Sequence, residues 1–241
     1  MRVLAVVQAR MGSSRLPGKV LARLGGVPAL SRVLRRTRSA TRVDDVIVAT
    51  TDSAEDDAVE RLAAAEGCGT YRGSRDDVLD RYWRTAARER PVYVVRITAD
   101  CPLVMPRVVD RVVEVTIAGG FDYASNTLVR TYPKGLDVEC FTLAALERAV
   151  RDATDAYDRE HVTPYLKRYP ALFRPGDVRA RTDRSDLRWT LDYPEDLAFL
   201  DRVFSELGDP SSPEQVVQLM ETDSEVAELH RAAVVRAQAD D

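Results

Sequence analysis

From Val3 to Val7 the chain is one unbroken apolar run, and comparable runs recur at Val46 to Thr51 and Val92 to Thr98. Runs this short and β-branched, bounded by polar residues, read as buried strands. Between the first two, Ala29 to Arg38 sets Leu30, Val33 and Leu34 on one side of a predicted helix. Asp52 or Ser53 is placed to cap a further helix that ends near Glu66, with Gly67 as its stop and Cys68 to Tyr71 as a short strand. The stretch "SRDDVLDRYWRTAARE" carries Val78, Leu79 and Tyr82 at helical spacing and leads into the Val92 strand. Strands alternating with helices, joined by right-handed crossovers, predict an α/β fold with a mostly parallel, Rossmann-like sheet covered by helices on both faces.

After Phe121 the pattern changes. Turn residues (Asn126, Pro133, Lys134, Gly135), a strand from Asp137 to Phe141 and helices near Leu143 to Asp152 and Glu160 to Arg168 suggest an excursion from the sheet over about 121–174. "LRWTLDYPEDLAFLDRVF" then returns to a strand and a helix, with Pro194 suited to the helix start and Glu195 and Asp196 to its positive end. Residues 1–207 read as one domain, and 208–241 as a charged tail of helical period.

Composition narrows the partners. With 35 basic against 39 acidic residues, a net charge of −4 and a pI near 5.4, no overall field attracts a polyanion, which disfavours nucleic acid. Cys68, Cys101 and Cys140 are odd in number and far apart, as expected of reduced thiols in the cytoplasm rather than a disulfide or zinc framework. No stretch reaches the roughly 18 apolar residues of a membrane span, so a soluble, unsecreted protein is expected.

The chemistry concentrates where the first strand ends. "VVQARMGSSRLPGKVL" turns from the strand into a loop holding Gly12, Ser13, Ser14, Pro17 and Gly18 beside Arg10, Arg15 and Lys19. Open α/β sheets bind ligands at the carboxyl ends of their strands, and glycines, backbone N–H groups and cations together suit a polyphosphate. The Walker-A spacing is missed, because five residues separate Gly12 from Gly18 and Val20 stands where the magnesium-binding hydroxyl would be, and G-x-G-x-x-G is absent. Two further stretches, "RITADCPL" and "WTLDYPEDL", put Asp100 and Asp192 at strand ends. A solvated loop would account for the cations alone, and helix capping for either Asp alone. Together they suggest two carboxylates sharing Mg²⁺ beside a phosphate site.

The blocks "QARMGSSRLPGKVL", "RGSRDDVLDRY", "RITADCPL", "GLDVECF", "REHVTPYL" and "LDYPEDL", in this order, resemble the cytidylyltransferases related to spore-coat polysaccharide protein F, relatives of the enzymes that make CMP-sialic acid and CMP-Kdo. The resemblance spans Met1 to Leu207. It implies CTP and Mg²⁺ as co-substrate and cofactor, pyrophosphate release, and a homodimer formed through the second-half excursion. It also implies residue roles. Arg10, Arg15 and Lys19 match the triphosphate loop and, with Asp100, the catalytic set, while Gln8 and Ala9 match the backbone facing the cytosine. Met11, Gly12, Ser13, Ser74, Arg75 and Val78 fall in the nucleotide-binding blocks. Asp100 and Asp192 match metal ligands, and Tyr132, Lys134, Glu139, Arg159 and His161 lie in blocks that face an acidic small-molecule acceptor. That acceptor is either an ulosonic-acid sugar or a phosphonate. Two alternatives belong to other classes: a nucleotide-sugar glycosyltransferase, whose usual D-x-D motif is not matched by "ADCPL", and a non-catalytic nucleotide-binding module. His230 is expected to have no catalytic part, and Trp83 and Trp189 to be core.

Overall fold

The structure is a computed structural model and describes residues 1–240. Strand β1 (Val3–Gln8) is followed by a small hairpin of β2 (Arg23–Leu24) and β3 (Val27–Pro28), helix α1 (Ala29–Arg38), β4 (Asp45–Thr51), α2 (Asp57–Ala65) and β5 (Gly69–Gly73). Then come α3 (Val78–Glu89), β6 (Tyr93–Thr98), α4 (Pro106–Gly119), β7 (Tyr123–Ser125), β8 (Glu139–Thr142), α5 (Leu143–Asp152), α6 (Ala156–His161), α7 (Pro164–Arg168) and β9 (Pro175–Asp177). The chain closes with α8 (Pro194–Leu207), α9 (Pro213–Thr222) and α10 (Ser224–Gln238).

Seven strands form the main sheet in the order β5-β4-β1-β6-β8-β7-β9. The first four run parallel, β8 is antiparallel to both of its neighbours, and β9 is parallel to β7. Strand periodicity explains the two cores. Val3, Ala5 and Val7 face the layer that holds α1, α4, α8 and the terminal helices, whereas Leu4 and Val6 face α3 and α5. The register sets Gln8 beside Ala49 and Thr98, so the carboxyl ends of β1, β4 and β6 open on one edge.

Four expectations need correction. Neither Asp52 nor Ser53 caps α2; a 3₁₀ turn over Ala54–Asp56 intervenes, and Ser53 offers it no side-chain bond. Residues 121–174 are not wholly an excursion from the sheet, since β7 and β8 are ladder strands within it. Leu187 to Leu191 is no strand, because its backbone is spent on separate partners. Lys134 N–H donates to Leu187 at 2.9 Å, Trp189 N–H to Lys134 at 2.6 Å and Leu191 N–H to Asp100 at 2.8 Å. Gly135, at φ 109°, makes this approach feasible, for a Cβ there would lie 2.6 Å from the Trp189 carbonyl carbon. The tail is not separate either, as Val216, Val217 and Val226 join the core beneath α8. No helix among the described residues is long and apolar enough to cross a membrane.

Between the sheet and α7 lies a buried ionic cluster. Glu139 accepts from Arg96 at 2.6 Å, Tyr123 at 2.6 Å, Thr163 at 2.8 Å and Lys167 at 2.8 Å. Burial alone would raise its pKa, but Arg96 and Lys167 outweigh it and hold the carboxyl down at about 2. Because an unfolded glutamate titrates near 4.5, this contribution is complete above that pH and is lost as pH falls toward 2. Glu139→Gln should therefore cost about 3 kcal/mol at neutral pH, by leaving Arg96 buried without its counter-charge. Urea unfolding across pH should show the variant losing stability less steeply than wild type between about 4.5 and 2. Parallel acid limbs would show that Glu139 does not anchor this cluster.

Candidate active site

A cleft of about 600 Å³ opens at the carboxyl ends of β1 and β6. One wall is the loop after β1, whose shape follows from three anchors. Met11 N–H donates to Asp56 at 2.6 Å, and Asp56, fully buried, also accepts from the hydroxyl of Thr51. Gly18 N–H donates to the Met11 carbonyl at 3.1 Å and closes the loop, with Gly18 left-handed at φ 71°. A single 3₁₀ turn, Lys19–Leu21, then fixes the base of the Lys19 side chain.

The ammonium of Lys19 lies between two carboxylates, 3.1 Å from Asp100 Oδ2 and 2.8 Å from Asp192 Oδ1. Asp192 also takes Arg15 at 3.0 Å and Arg188 at 2.9 Å. Asp196 braces this arrangement from the start of α8. It accepts from Arg188 at 3.1 and 2.9 Å and from the backbone N–H groups of Asp192 and Tyr193 at 2.8 and 2.9 Å. Burial would raise the pKa of Asp192, yet Lys19, Arg188 and Arg15 bring it down to about 2. Burial would lower that of Lys19, yet Asp100 and Asp192 raise it above the ordinary lysine value.

A divalent cation fits this donor set. Asp100 and Asp192 converge on one point, taken here by the positive charge of Lys19, and Mg²⁺ commonly uses one or two carboxylates together with substrate phosphates. Among the described residues no group of three or more His, Cys, Asp or Glu could hold a metal ion, so phosphate and water oxygens would have to complete the shell.

A loop of glycines and cations facing two carboxylates, Asp100 after β6 and Asp192 before α8, suits nucleotidyl chemistry, and the sequence model of the cytidylyltransferase family matches residues 4–224. The chain belongs to this family. This cytidylyltransferase is 32% identical over 214 residues to the spore coat polysaccharide biosynthesis protein SpsF of Bacillus subtilis, covering 86% of this chain and 88% of that one. It is 35% identical over 153 residues to a 3-deoxy-manno-octulosonate cytidylyltransferase of Anaeromyxobacter dehalogenans, covering 63% of this chain and 61% of the relative. A solved cytidylyltransferase from Leptospira borgpetersenii matches with a TM-score of 0.87 at 31% identity, covering 95% of this chain and 97% of that one. Nucleotidyl transfer is thus the activity class, and the glycosyltransferase alternative loses its ground.

Of the residues expected in the site, the cytidylyltransferase gathers Gln8, Ala9, Arg10, Gly12, Ser13, Arg15, Lys19, Arg75, Val78, Asp100, His161 and Asp192 around the cleft. Met11 and Ser74 are not in the lining. Met11 packs its side chain on the core, and Ser74 Oγ accepts from Asp77 N–H at 3.1 Å before α3. Four of the five expected acceptor residues also lie elsewhere. Tyr132 faces a separate cavity beside Arg107 and Arg111, Lys134 is exposed with its backbone bonded to Leu187 and Trp189, and Glu139 is buried in its ionic cluster. Arg159 reaches Asp77 at 2.9 Å and the Val150 carbonyl at 2.8 Å, tying α6 to the start of α3.

The lining also includes Arg81 and Glu160, which the sequence reading passed over. Arg81 lies three residues after Val78, on the same helix face, so helical spacing could have found it. Asp56 and Arg188 act through the backbone and through Asp192, and no local motif announces them.

His161 is held by an unusual turn. Buried Val162 has φ 72° and ψ −55°, and Thr163 N–H donates to the His161 carbonyl at 2.8 Å, forming a γ-turn of the strained hand. Such strain in a β-branched residue is kept where the surroundings over-determine it. Val162→Ala keeps the strain and Val162→Gly removes it. The Gly variant should be more stable than the Ala variant by about 1 kcal/mol in urea unfolding, the reverse of the ordinary order. The ordinary order, with Ala the more stable, would mean that the turn carries no strain.

Proposed function

We propose that this cytidylyltransferase transfers CMP from CTP to an anionic small-molecule acceptor and releases pyrophosphate. The observation that carries the reading is the Lys19 ammonium shared by Asp100 and Asp192 at the foot of the phosphate-type loop. In that cluster Lys19, Arg15 and Arg188 face Asp100, Asp192 and Asp196, so three positive charges meet three negative ones. Such a neutral cluster holds its cations until a stronger anion arrives. A triphosphate is that anion, and it competes for Lys19 and Arg15 by charge-assisted bonds.

In the reaction, an acceptor oxygen attacks the α-phosphorus in line, and little covalent work falls to the protein. The loop N–H groups, Arg10 and Arg75 hold the triphosphate. Lys19 and Arg15 donate to the phosphate oxygens that become pyrophosphate, where charge builds in the transition state. A divalent cation held by Asp100 and Asp192, taken to be Mg²⁺, supplies neutralisation of the α-phosphate when bound. Glu160 and His161 face the acceptor. The likeness to a 3-deoxy-manno-octulosonate cytidylyltransferase favours a 2-keto-3-deoxy sugar acid over a phosphonate.

The test is pyrophosphate release from CTP and Mg²⁺ with a panel of 2-keto-3-deoxy sugar acids and phosphonates. We expect turnover with a sugar acid, a loss of about a hundredfold or more in Lys19→Met, and Asp100→Asn folded but nearly inactive. No release with any acid in the panel, or wild-type turnover in both variants, would contradict the proposal.

A further inference from the structure

Tyr193, the residue before α8, is buried, yet its hydroxyl has a partner on each side. Arg15 Nη1 donates to that oxygen at 3.1 Å, while Nη2 of the same guanidinium donates to Asp192 at 3.0 Å. The hydroxyl in turn donates to Asp240 Oδ2 at 2.8 Å, and the other Asp240 oxygen accepts from Arg236 at 2.9 Å. Tyr193 and Arg236 hold the Asp240 carboxyl below the ordinary aspartate value, so it is an acceptor at neutral pH. A tyrosine hydroxyl has one proton, and with that proton on Asp240 its lone pairs are left for Arg15. The stripe that seats α10 also delivers this carboxylate. Val226, His230 and Ala233 are the buried residues of α10, which packs on α8, and Asp240 falls two turns after Ala233 on the same side. The guanidinium carbons of Arg15, Arg188 and Arg236 lie 5.0, 5.7 and 4.7 Å from the centre of the Tyr193 ring, whose face attracts all three.

We propose that Tyr193 and Asp240 are positioning residues that hold Arg15 at the cleft, ready for the triphosphate. This inference rests on the CMP-transfer reading. The Arg15 side chain is half-exposed, so without these partners its guanidinium would be ordered only on binding. When a triphosphate takes Nη2 from Asp192, Nη1 keeps its bond to Tyr193, and the guanidinium turns about that bond. Fixing a rotamer-rich side chain in advance removes part of the ordering cost of binding. Tyr193 and Asp240 act through Arg15 alone. The sign of the effect is diagnostic, because Asp240 is an anion and by repulsion alone would weaken the binding of another anion. Positioning makes it strengthen that binding instead.

Calorimetric titration of CTP and inorganic tripolyphosphate, each with Mg²⁺, into wild type, Tyr193→Phe, Asp240→Ala, Asp240→Asn and Arg15→Ala tests this. Tyr193→Phe and Asp240→Ala should each weaken both ligands about threefold to tenfold. Asp240→Asn keeps an oxygen for the Tyr193 hydroxyl and should recover most of the loss. Adding Tyr193→Phe to Arg15→Ala should cost nothing further, since both changes strike one contact. Unchanged or tighter tripolyphosphate binding in Asp240→Ala, no recovery in Asp240→Asn, or a full Tyr193→Phe loss on the Arg15→Ala background would overturn the inference while leaving CMP transfer standing. If Tyr193→Phe does not fold, the two Asp240 variants decide alone. Wild-type protein that binds neither ligand would instead remove the CMP-transfer reading, and this inference with it.

Discussion

One ammonium between two carboxylates organises this molecule. Lys19 joins the loop after β1 to Asp100 after β6 and to Asp192 before α8, three segments far apart in the chain. Asp192, buried, and Asp100, partly exposed, both lie against this one cation, which offsets the repulsion between the two carboxylates. Arg188 and Asp196 extend the cluster into the base of α8, and α10 supports it from behind. His230 there accepts the Arg188 backbone N–H at 3.3 Å and packs edge-on against Phe199. The terminal helices therefore reach the site through packing, although they supply no group to the cleft.

Such a cluster is poised. Its charges balance at rest, so it adds little net field to the cleft, and Arg10 and Arg75 make no ion pair with a described carboxylate. Those two are the charges free to draw in a triphosphate, while Lys19 and Arg15 are held in reserve. Exchange of the Lys19 ammonium for a divalent ion would raise the charge at the carboxylates and free Lys19 for phosphate. Ground-state pairing and catalysis would then use the same side chains at different moments.

The helices and parallel strands were legible because their signals are local. Ala29 to Arg38 is helical over the expected range, and the strand runs at Val3, Val46 and Val92 all appear, with ends shifted by a residue or so. The loop cations and the acids Asp100 and Asp192 were also legible, although no strand precedes Asp192, since a turn rich in glycine after a buried strand is a strong pattern. What could not be read was which acid meets which base. Asp100 and Asp192 looked like a pair waiting for a metal, and nothing in the spacing of Lys19 showed that its ammonium would sit between them. Glu139 and Arg159 lay in suggestive blocks, but tertiary partners, Arg96 for one and Asp77 for the other, turn them away from the cleft. Leu187 to Leu191 has the composition of a strand and is pulled out of the sheet by Lys134 and Asp100, contacts more than fifty residues away in sequence.

We propose that Lys19 occupies the place that a divalent ion would take when nucleotide binds. Crystals grown with CTP and Mn²⁺ test it most directly, through the anomalous signal of manganese. The account predicts a peak between Asp100 and Asp192, with the Lys19 ammonium moved onto a phosphate oxygen. A manganese peak away from both carboxylates, with Lys19 still bridging them, would contradict it.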